Sequence, residues 1–330
     1  MKEETNSDKR YLKNSLTSPP PAKFHQKPLG RKLWESKTLI LMCVPAIVFF
    51  IVFNYIPMPG AYIAFTDFKY NQGIFGSKFV GLENFKFLVI SGKLWQLTRN
   101  TILYNVAFIA LGNCMQILVA VLLNEIRNKW FKKVTQSILF LPYFISAVLV
   151  GFLAFNILNY DYGFIPGIFK AMGQEAPKFF SMPWAWPVII VLVNLWQGTG
   201  YGSIVYFAAI MGIDTTIYEA AEIDGANALQ RIWYIILPSL KPTAIILVLF
   251  SIGGILRGNF GLFYNLVGTA NATLQPTTDI IETFVFRSLM NQFNFSYSAA
   301  AGLYQSAFGF VIVMTVNYIV KKIEADYALF

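Results

Sequence analysis

The chain has 330 residues, of which 56% are hydrophobic and only 13% charged, and its mean hydropathy is +0.53. A water-soluble domain usually has about a quarter of its residues charged, so this composition excludes an ordinary soluble protein and indicates folding in a lipid bilayer. The formal net charge of +9 indicates membrane topology and contact with anionic lipids. It does not indicate nucleic-acid binding, because no basic stripe with interleaved aromatic residues occurs outside the apolar segments.

The N-terminal segment differs from the rest of the chain. Residues 1–30 are polar and basic and include three consecutive prolines at 19–21. They are too long and too polar for a cleaved secretory signal. We predict that residues 1–30 form a disordered basic tail in the cytosol and that the membrane domain covers residues 31–330.

Six apolar segments are long enough to cross roughly 30 Å of hydrocarbon as α-helices. The predicted spans are residues 39–57, 100–123, 136–158, 186–211, 239–256 and 302–320. Polar amides interrupt the second span, and Gly253 and Gly254 break the fifth, so the limits of these two are the least defined. The sequence therefore predicts an all-α membrane protein with six transmembrane helices.

Lys and Arg placement predicts the orientation, because these residues are enriched on the cytoplasmic side of membrane proteins. With the N-terminus inside, 17 of the 26 basic residues fall on inner segments. Those next to the first span are Lys23, Lys27, Arg31, Lys32 and Lys37. We therefore predict a multi-pass protein with a cytoplasmic N-terminus.

The outer segments are long and carry turn residues. In the aromatic segment 58–98, Glu83 opens a candidate short helix, and the segment 159–185 is rich in Gly and Pro. Within the last outer segment, residues 277–289 have a helical pattern that is too short and too charged to span a bilayer. We expect an interfacial or re-entrant helix there.

The inner segment 212–238 is polar and lies between two spans. Thr216 and Glu219 have the spacing of a capping box, which predicts a helix start. Gly225 is suited to end or bend that helix, because glycine adopts the left-handed conformation freely. A second amphipathic helix follows, and Pro238 stands before the fifth span.

Sequence motifs for catalysis are missing from the chain. It has no phosphate-binding G-x-x-x-x-G-K-[ST], no H-E-x-x-H and no G-x-S-x-G, and its single histidine is His25 in the tail. Cys43 and Cys114 lie in predicted spans and are expected to be small apolar packing residues rather than a disulfide or metal pair. We predict neither catalytic residues nor a metal site.

One motif carries a resemblance to a known family. The residues Glu219, Ala220, Ala221, Gly225, Ile235, Leu237 and Pro238 resemble the EAA loop, EAA-x3-G-x9-I-x-LP, of binding-protein-dependent ABC import permeases. Asp224 extends the match in the manner of sugar permeases, as do residues 64–67, 80–85 and 100–101. Residues 283–287 and 299–306 resemble the subgroup that imports oligosaccharides from complex polysaccharides. The likeness covers residues 33–322.

The resemblance implies a fold, partners and a mechanism. The fold is the six-helix type I importer arrangement in a bacterial plasma or inner membrane. The partners are a second permease chain, a cytosolic ABC ATPase dimer, an extracellular solute-binding protein, the sugar or oligosaccharide ligand and membrane lipids, with no nucleic acid. ATP and Mg²⁺ belong to the ATPase, so this chain has no cofactor and is not an enzyme. Alternating access moves the ligand.

The same resemblance assigns the coupling loop, residues 214–238. Its expected contacts with the ATPase are Glu219, Ala220, Ala221 and Asp224, with Gly225 as the corner and Pro238 as the hinge into the fifth span. The alternative is an ordinary solvated loop helix in which Glu219 serves only as a capping residue of that helix.

Polar side chains within spans are candidates for the substrate pathway, because such groups usually face the interior of the helix bundle. The candidates are Asn105, Asn113, Asn194, Trp196, Gln197, Tyr201 and Arg257, with the fourth-span group preferred. Further polar residues of this kind are Gln116, Asn156, Asn159, Tyr206 and Gln305. The alternative for each is a helix–helix hydrogen bond. Arg257 and Arg287 are suited to bind the carboxylate of an acidic sugar. The alternative is a structural ion pair with Asp279 or Glu282.

Two other functions compete with sugar import. The first is a permease of the same architecture for another solute, such as an amino acid or phosphate. The second is a secondary transporter, which should carry acidic residues in its spans. The six predicted spans contain none, which disfavours that reading.

Overall fold

A computed structural model describes residues 36–268 and 271–323, so the predicted tail at 1–30 lies outside the described residues. The described chain is helical apart from a hairpin of two short strands, β1 (Thr66–Asp67) and β2 (Lys78–Phe79). These strands pair antiparallel, with Thr66 opposite Phe79. The contacts divide the chain into two units, Met1–Pro59 and Gly60–Phe330.

In the first unit, helix α1 (Lys37–Phe50) continues through a π turn, Ile51–Tyr55. The two together coincide with the predicted first span. Pro45 lies inside α1, and no charged side chain follows Lys37 before the end of the π turn. An unbroken apolar surface of this length is what the hydrocarbon core requires.

The hairpin region of the second unit follows a 3₁₀ segment whose first two residues, Met58 and Pro59, still belong to the first unit. A 3₁₀ turn (Met58–Phe65) leads to β1, and α2 (Gly73–Gly76), β2 and α3 (Glu83–Ile90) follow. Helix α3 starts at Glu83, as the sequence predicts. The buried Asn84 side chain donates to the carbonyls of Ala64 and Thr66 at 2.9 and 3.0 Å, which fixes α3 against β1.

Three long helices match predicted spans: α4 (Lys93–Glu125), α8 (Trp186–Met211) and α15 (Phe295–Ile323). Helix α8 has the limits predicted for the fourth span, whereas α4 and α15 are longer than predicted. The amides of α4 do not interrupt it, because Asn105 and Asn113 each donate to the carbonyl four residues earlier, at 2.9 and 2.6 Å.

The prediction of one continuous third span at 136–158 is wrong. The segment consists of α5 (Lys129–Phe140), a 3₁₀ turn (Leu141–Phe144) and α6 (Ala147–Leu158). The chain bends by 96° between the 3₁₀ turn and α6. Ile145 and Ser146 are extended, with ψ of 125° and 150°, so the helical path stops there. The Ser146 hydroxyl then caps α6 by accepting from the Leu149 amide at 3.4 Å.

The fifth span also differs from its prediction. Helix α10 (Ala228–Arg231), a π turn (Ile232–Ile236) and α11 (Leu237–Gly253) run as one 26-residue helical segment. The prediction of a separate amphipathic helix that ends before Pro238 is therefore wrong. Pro238 has no N–H to donate, and the π turn accommodates it by pairing the Leu237 amide with the Ile232 carbonyl five residues back.

Shorter helices complete the second unit. They are α7 (Phe164–Ala171), α9 (Thr215–Ile223), α12 (Phe260–Val267), α13 (Gln275–Thr278) and α14 (Ile281–Met290), with a 3₁₀ turn at Phe179–Ser181. Helix α14 covers most of the segment predicted at 277–289. In all, the described residues contain five helices long and apolar enough to span a membrane, or six if the bent pair α5–α6 forms one span.

Candidate functional site

The first candidate site is the inner corner, where α9 turns into α10. Asp214 is the N-cap of α9, and its carboxylate accepts from the Thr216 amide at 2.9 Å. The capping box predicted for Thr216 and Glu219 is therefore wrong, because Asp214 already occupies the N-cap position. The Thr216 N–H lowers the pKa of the Asp214 carboxyl by stabilising its charged form.

Gly225 forms the corner itself. Its φ is +77°, the left-handed conformation that favours glycine. The Ala226 amide donates to the Ala221 carbonyl at 2.9 Å, and the Gly225 amide donates to the Glu222 carbonyl at 3.1 Å. These two bonds make a Schellman motif, which satisfies the last carbonyls of α9. The prediction that Gly225 ends the first helix is confirmed.

The next helix starts at once. Asn227 accepts from the Gln230 amide at 2.9 Å, and the Gln230 side chain accepts from the Asn227 amide at 2.8 Å. This reciprocal capping box starts α10 at Ala228, three residues after Gly225. The turn between α9 and α10 is thus fixed by backbone and side-chain hydrogen bonds at both helix ends.

The tip of the corner exposes both polar and apolar side chains on the protein surface. Glu219, Ala220 and Asp224 are exposed, and Ala221 is half-buried. Ile223 is 86% exposed and Tyr234 is 80% exposed. Ile223 at the tip and Tyr234 in the π turn are therefore left uncovered by the rest of the described chain.

The base of the corner is packed against the helix bundle. Tyr218, Ile213 and Ile232 contact a buried cluster formed by Ala120, Val121, Tyr206, Ile210, Ile236 and Leu240. Arg231 Nη2 lies 3.6 Å from Glu125 Oε2 at the end of α4. Burial raises the pKa of the Tyr218 hydroxyl, and the Glu125 charge adds to the effect. Direct contacts therefore join the corner to α4, α8 and α11.

The second candidate site is a cavity of about 370 Å³ between α4, α8 and α11. Three predicted pathway residues, Asn105, Asn113 and Tyr201, line it together with Gln116 and Ser251. The Asn113 carbonyl oxygen accepts from the Tyr206 hydroxyl at 2.5 Å. The Asn105 amide donates to the main-chain carbonyls of Ile255 and Arg257 at 2.9 and 3.1 Å.

Two features of this cavity were missed from the sequence. Tyr143 stacks on Tyr201 with ring centroids 4.3 Å apart and planes 9° apart. Tyr143 lies in the 3₁₀ turn before the bend, whose geometry was not predicted from the sequence. Ser251 lines the cavity as the only hydroxyl in the second half of α11, a signal that could have been used.

The preferred fourth-span group is divided by the structure. Trp196 lines a separate apolar cavity of about 390 Å³ with residues of α6 such as Leu153. The Gln197 amide donates to the Ile145 carbonyl at 2.9 Å and so satisfies a group freed by the bend. Asn194 is half-buried earlier on α8. Of this predicted group, Tyr201 alone is among the residues that line the polar cavity.

The two candidate arginines have different environments. Arg287 is buried and holds both carboxylate oxygens of Asp279, at 3.0 and 2.6 Å. Lys93 Nζ reaches the same carboxylate at 3.1 Å, so Arg287 belongs to a structural ion pair. Arg257 is exposed, and its main chain lies beside the cavity residue Asn105.

The remaining polar candidates form hydrogen bonds within the protein. Asn156 donates to the Phe152 carbonyl, and Asn159 accepts from the Asp161 amide. Gln305 donates to Glu282 and to the Leu256 carbonyl, both at 2.6 Å. Cys43 and Cys114 are free thiols. Within residues 36–268 and 271–323, no group of three His, Cys, Asp or Glu side chains is placed to hold a metal ion.

Comparisons with known proteins agree with this architecture. Residues 116–325 match the family described as binding-protein-dependent transport system inner membrane component. The polygalacturonan/rhamnogalacturonan transport system permease protein YteP of Bacillus subtilis is 37% identical over 301 residues, which cover 91% of this chain and 92% of the relative. The protein LplB of the same organism is 32% identical and covers 89% of this chain and 92% of its own.

Solved structures show the same fold. One chain from a bacterial ABC transporter involved in the import of the acidic polysaccharide alginate has a TM-score of 0.80 and 30% identity, covering 90% of this chain and 99% of its own. A chain from the bacterial alginate ABC transporter in complex with an alginate pentasaccharide-bound periplasmic protein has a TM-score of 0.79 and 30% identity, covering 89% and 98%.

Proposed function

Because this chain belongs to the family of binding-protein-dependent transport system inner membrane components, we propose that it moves a sugar or oligosaccharide across the membrane as one permease subunit of an ATP-driven importer. Members of this family are multi-pass permease subunits of ABC transporters and are not enzymes themselves. Family membership removes the secondary-transporter alternative. The identity of the cargo, the partners and the working mechanism are the proposed part.

The observation that carries the cargo proposal is the polar cavity. Asn105, Asn113, Gln116 and Ser251 offer amide and hydroxyl groups beside the exposed face of Tyr201. Sugars present many hydroxyl groups together with apolar ring faces, so this mixture suits them. An amino acid or phosphate would need a charged group at the same place, and the residues that line the cavity are uncharged.

The coupling mechanism rests on the inner corner. Glu219, Ala220, Ala221 and Asp224 form the face that docks in a groove of a cytosolic ATPase, and Gly225 sets its angle. The corner therefore faces the cytosol, and so does the N-terminus. Pro238 lies where the π turn joins α10 to α11. Closure of the ATPase dimer moves the corner, and its packed base passes the motion to the spans, giving alternating access.

The proposed assembly has four other components. They are a second permease chain, two ATPase subunits that bind ATP and Mg²⁺, and an extracellular solute-binding protein that delivers the ligand. This chain needs no cofactor of its own. The alginate importer, whose structure includes a ligand-bound periplasmic protein, supports the last of these partners.

Among sugars and oligosaccharides, the position of Arg257 favours an acidic oligosaccharide as the cargo. Arg257 is exposed, and its carbonyl lies 3.1 Å from the Asn105 amide at the cavity. The Arg257 side chain is not part of the uncharged cavity lining; we propose that its exposed guanidinium receives a uronate carboxylate outside the lining. The names of the relatives point the same way, since polygalacturonan and alginate are both acidic.

Uptake by the complete importer in proteoliposomes tests the cargo proposal. We expect Gln116→Leu to weaken the apparent affinity for an oligogalacturonide about fivefold, the cost of roughly 1 kcal/mol for one lost hydrogen bond. Asn156→Leu, which removes an exposed amide from α6, is the control. Arg257→Gln should reduce uptake of the oligogalacturonide but not of a neutral oligosaccharide of equal length.

Two results would count against the proposal. Equal uptake by wild type, Gln116→Leu and Asn156→Leu would remove the cavity from the pathway. An equal effect of Arg257→Gln on both probes would remove the preference for an acidic cargo, while leaving sugar import standing.

A further inference from the structure

Arg257 lies in the irregular segment 254–259, which joins α11 to α12. In the peptide group before Arg257, the Leu256 carbonyl accepts from Gln305 Nε2 of α15 at 2.6 Å. The Arg257 amide of the same peptide group donates to the Gly254 carbonyl at 2.7 Å. Both polar groups of the main chain on this side of Arg257 are therefore bonded within the protein.

The peptide group after Arg257 is held in the same way. Its carbonyl accepts from Asn105 Nδ2 of α4 at 3.1 Å, and the Gly258 amide donates to Glu282 Oε1 of α14 at 2.6 Å. Three separate helices, α4, α14 and α15, thus fix the main chain on both sides of one residue. The Arg257 side chain itself is exposed, so a cation is presented to the surroundings from a main chain that is held in place.

Glu282 joins two of these anchors. Its Oε1 accepts from the Gly258 amide and also from Gln305 Nε2, each at 2.6 Å. The carboxylate can lie this close to the main chain because residue 258 is glycine. A Cβ there would fall 2.6 Å from Glu282 Oε2 and 2.5 Å from Ile280 Cδ1. The carboxylate also lies in the first turn of α14, where the helix dipole stabilises a negative charge.

The second oxygen of this carboxylate is not used. Glu282 Oε2 is buried and has no hydrogen-bond partner among the residues that the structure describes. One acceptor oxygen is therefore enough to hold the Gly258 amide and the Gln305 side chain. A glutamine has such an oxygen without the charge, and a leucine has neither. Substitution of residue 282 by these two side chains separates the effect of the bond from the effect of the charge.

The fixed segment lies beside one end of the polar cavity. Asn105 and Ser251 line this cavity, and Ser251 is near the end of α11, just before the segment. Helix α4 ends at the inner corner, and the helical segment α10–α11 starts there. Residues 254–259 are therefore at the end that is remote from the corner, which the proposed function turns to the outside. In the part of the chain that the structure describes, the Arg257 guanidinium forms no ion pair.

We propose that Glu282 and Gln305 are positioning residues that hold Arg257 in place to bind a carboxylate of the cargo as it enters the cavity. The inference rests on the proposed function and names what makes Arg257 selective. A guanidinium binds a carboxylate most strongly through two parallel hydrogen bonds. Holding its main chain beforehand lowers the cost of reaching that geometry. Neither Glu282 nor Gln305 touches the cargo, and both act through Arg257.

Uptake by the complete importer in proteoliposomes tests the proposal. The binding protein is saturated with an oligogalacturonide or with a neutral oligosaccharide of equal length, and the ratio of the two maximal uptake rates is the acid preference. Because it is a ratio, it does not depend on how much of each variant is folded. We expect Glu282→Leu and Gln305→Leu each to reduce it about fivefold, the effect of one lost hydrogen bond. Glu282→Gln should keep the acid preference of the wild type, because it keeps the acceptor oxygen.

Gln96→Leu is the matched control. Gln96 Nε2 donates to the Gln275 carbonyl at 2.8 Å, so this variant also removes a side-chain bond to a loop carbonyl but leaves segment 254–259 intact. Its acid preference should equal that of the wild type. In an Arg257→Gln chain, Glu282→Leu should cause no further loss, because two residues that act through the same contact are not additive.

The outcomes separate this inference from the proposed function. If Arg257→Gln lowers the acid preference and Glu282→Leu and Gln305→Leu do not, the positioning role alone is overturned. Equal losses in Glu282→Gln and Glu282→Leu would assign the effect to the charge and also overturn it, as would a further loss in the Arg257→Gln chain. An acid preference that Arg257→Gln leaves unchanged overturns the acidic cargo together with this inference, while sugar import stands. Uptake of neither cargo by the wild type overturns the proposed function itself.

Discussion

At the scale of single residues, Gly225 determines the shape of the inner corner. Its left-handed φ of +77° allows the two Schellman bonds to form. A Cβ at this position would meet nothing within 4 Å, so a substitution acts through backbone strain alone. A β-branched residue is especially poor in this conformation, and the strain is about 1–2 kcal/mol.

We therefore expect Gly225→Val to lower ATP-driven uptake while the complex still assembles. Gly173→Val is the matched control, because Gly173 has a φ of +72° with equally open surroundings but lies in the outer segment. Both variants carry the same backbone strain, and only the first should reduce the amount of ligand moved per ATP. Equal ratios of uptake to ATP hydrolysis in the two variants would contradict the coupling role.

Asp214 gives the corner a pH dependence. Its pKa is lowered in the folded state by the Thr216 amide, so the cap is fully present above the ordinary pKa of about 3.9 and is lost as pH falls through the lower folded value. We expect hydrogen exchange in the first turn of α9 to quicken over this acidic range, after correction for intrinsic rates. Asp214→Asn keeps a capping side chain without a charge and should abolish the dependence.

Residue-level chemistry was predictable where it is local. The glycine corner follows from the conformational freedom of one residue. The capping box at Thr216 was wrong because Asp214, two positions earlier, competes for the same amide. On α4, residues 105, 109, 113 and 116 recur every three or four positions and so share a face. Trp196 and Tyr201 are five positions apart on α8, which places them on different sides, and this spacing already argued against one fourth-span group.

At the scale of elements, glycines decide how closely helices approach. In α8 the Gly200 position lies against the Leu139 carbonyl of α5, where a Cβ would fall 1.8 Å from the oxygen. Gly151 of α6 meets the backbone of Asn265 in α12 in the same way, with a Cβ distance of 2.2 Å. Small residues permit such backbone contacts between membrane helices.

We expect Gly200→Ala to destabilise the protein by roughly 1–3 kcal/mol, because helix α5 must move away to make room. Gly198→Ala is the control in the same helix, since its Cβ would meet nothing within 4 Å. Alanine is the better helix former, so Gly198→Ala should be neutral or stabilising. Thermal unfolding in detergent measures both, and equal midpoints for the two variants would rule out the close contact between α5 and α8.

Elements were predictable where one apolar run equals one helix. Helix α8 has its predicted limits because residues 186–211 contain no charged side chain and no proline beyond Pro187 at the helix start. The third span was wrong because the prediction used only the absence of charge across residues 138–155; Pro142 in the 3₁₀ turn and Ser146 at the N-cap of α6 were signals of the bend. The predicted fifth span started only after Pro238, because a proline usually ends a helix. In the structure a π turn lets the helix continue through this proline, and the sequence has no signal for that turn.

At the scale of the whole molecule, the number of spans and the orientation are linked. Five long helices and one bent pair cross the bilayer six times if the pair counts once. Two of these helices, α11 and α15, lie between the inner corner and the lysines Lys321 and Lys322, so we expect the corner and these lysines on the same side of the bilayer. The basic residues around the corner, including those of α5, are those expected on the cytoplasmic side.

Cysteine labelling tests this arrangement, with Tyr70→Cys and Glu222→Cys made separately in a Cys43→Ser/Cys114→Ser chain. Tyr70 is 87% exposed in the outer segment, and Glu222 is exposed at the corner. An impermeant maleimide should label position 70 in intact cells and position 222 only after permeabilisation. Co-expression of the ATPase should then shield position 222, because the corner is its docking face. Labelling of position 222 in intact cells would reverse the topology and remove the corner from the cytosol.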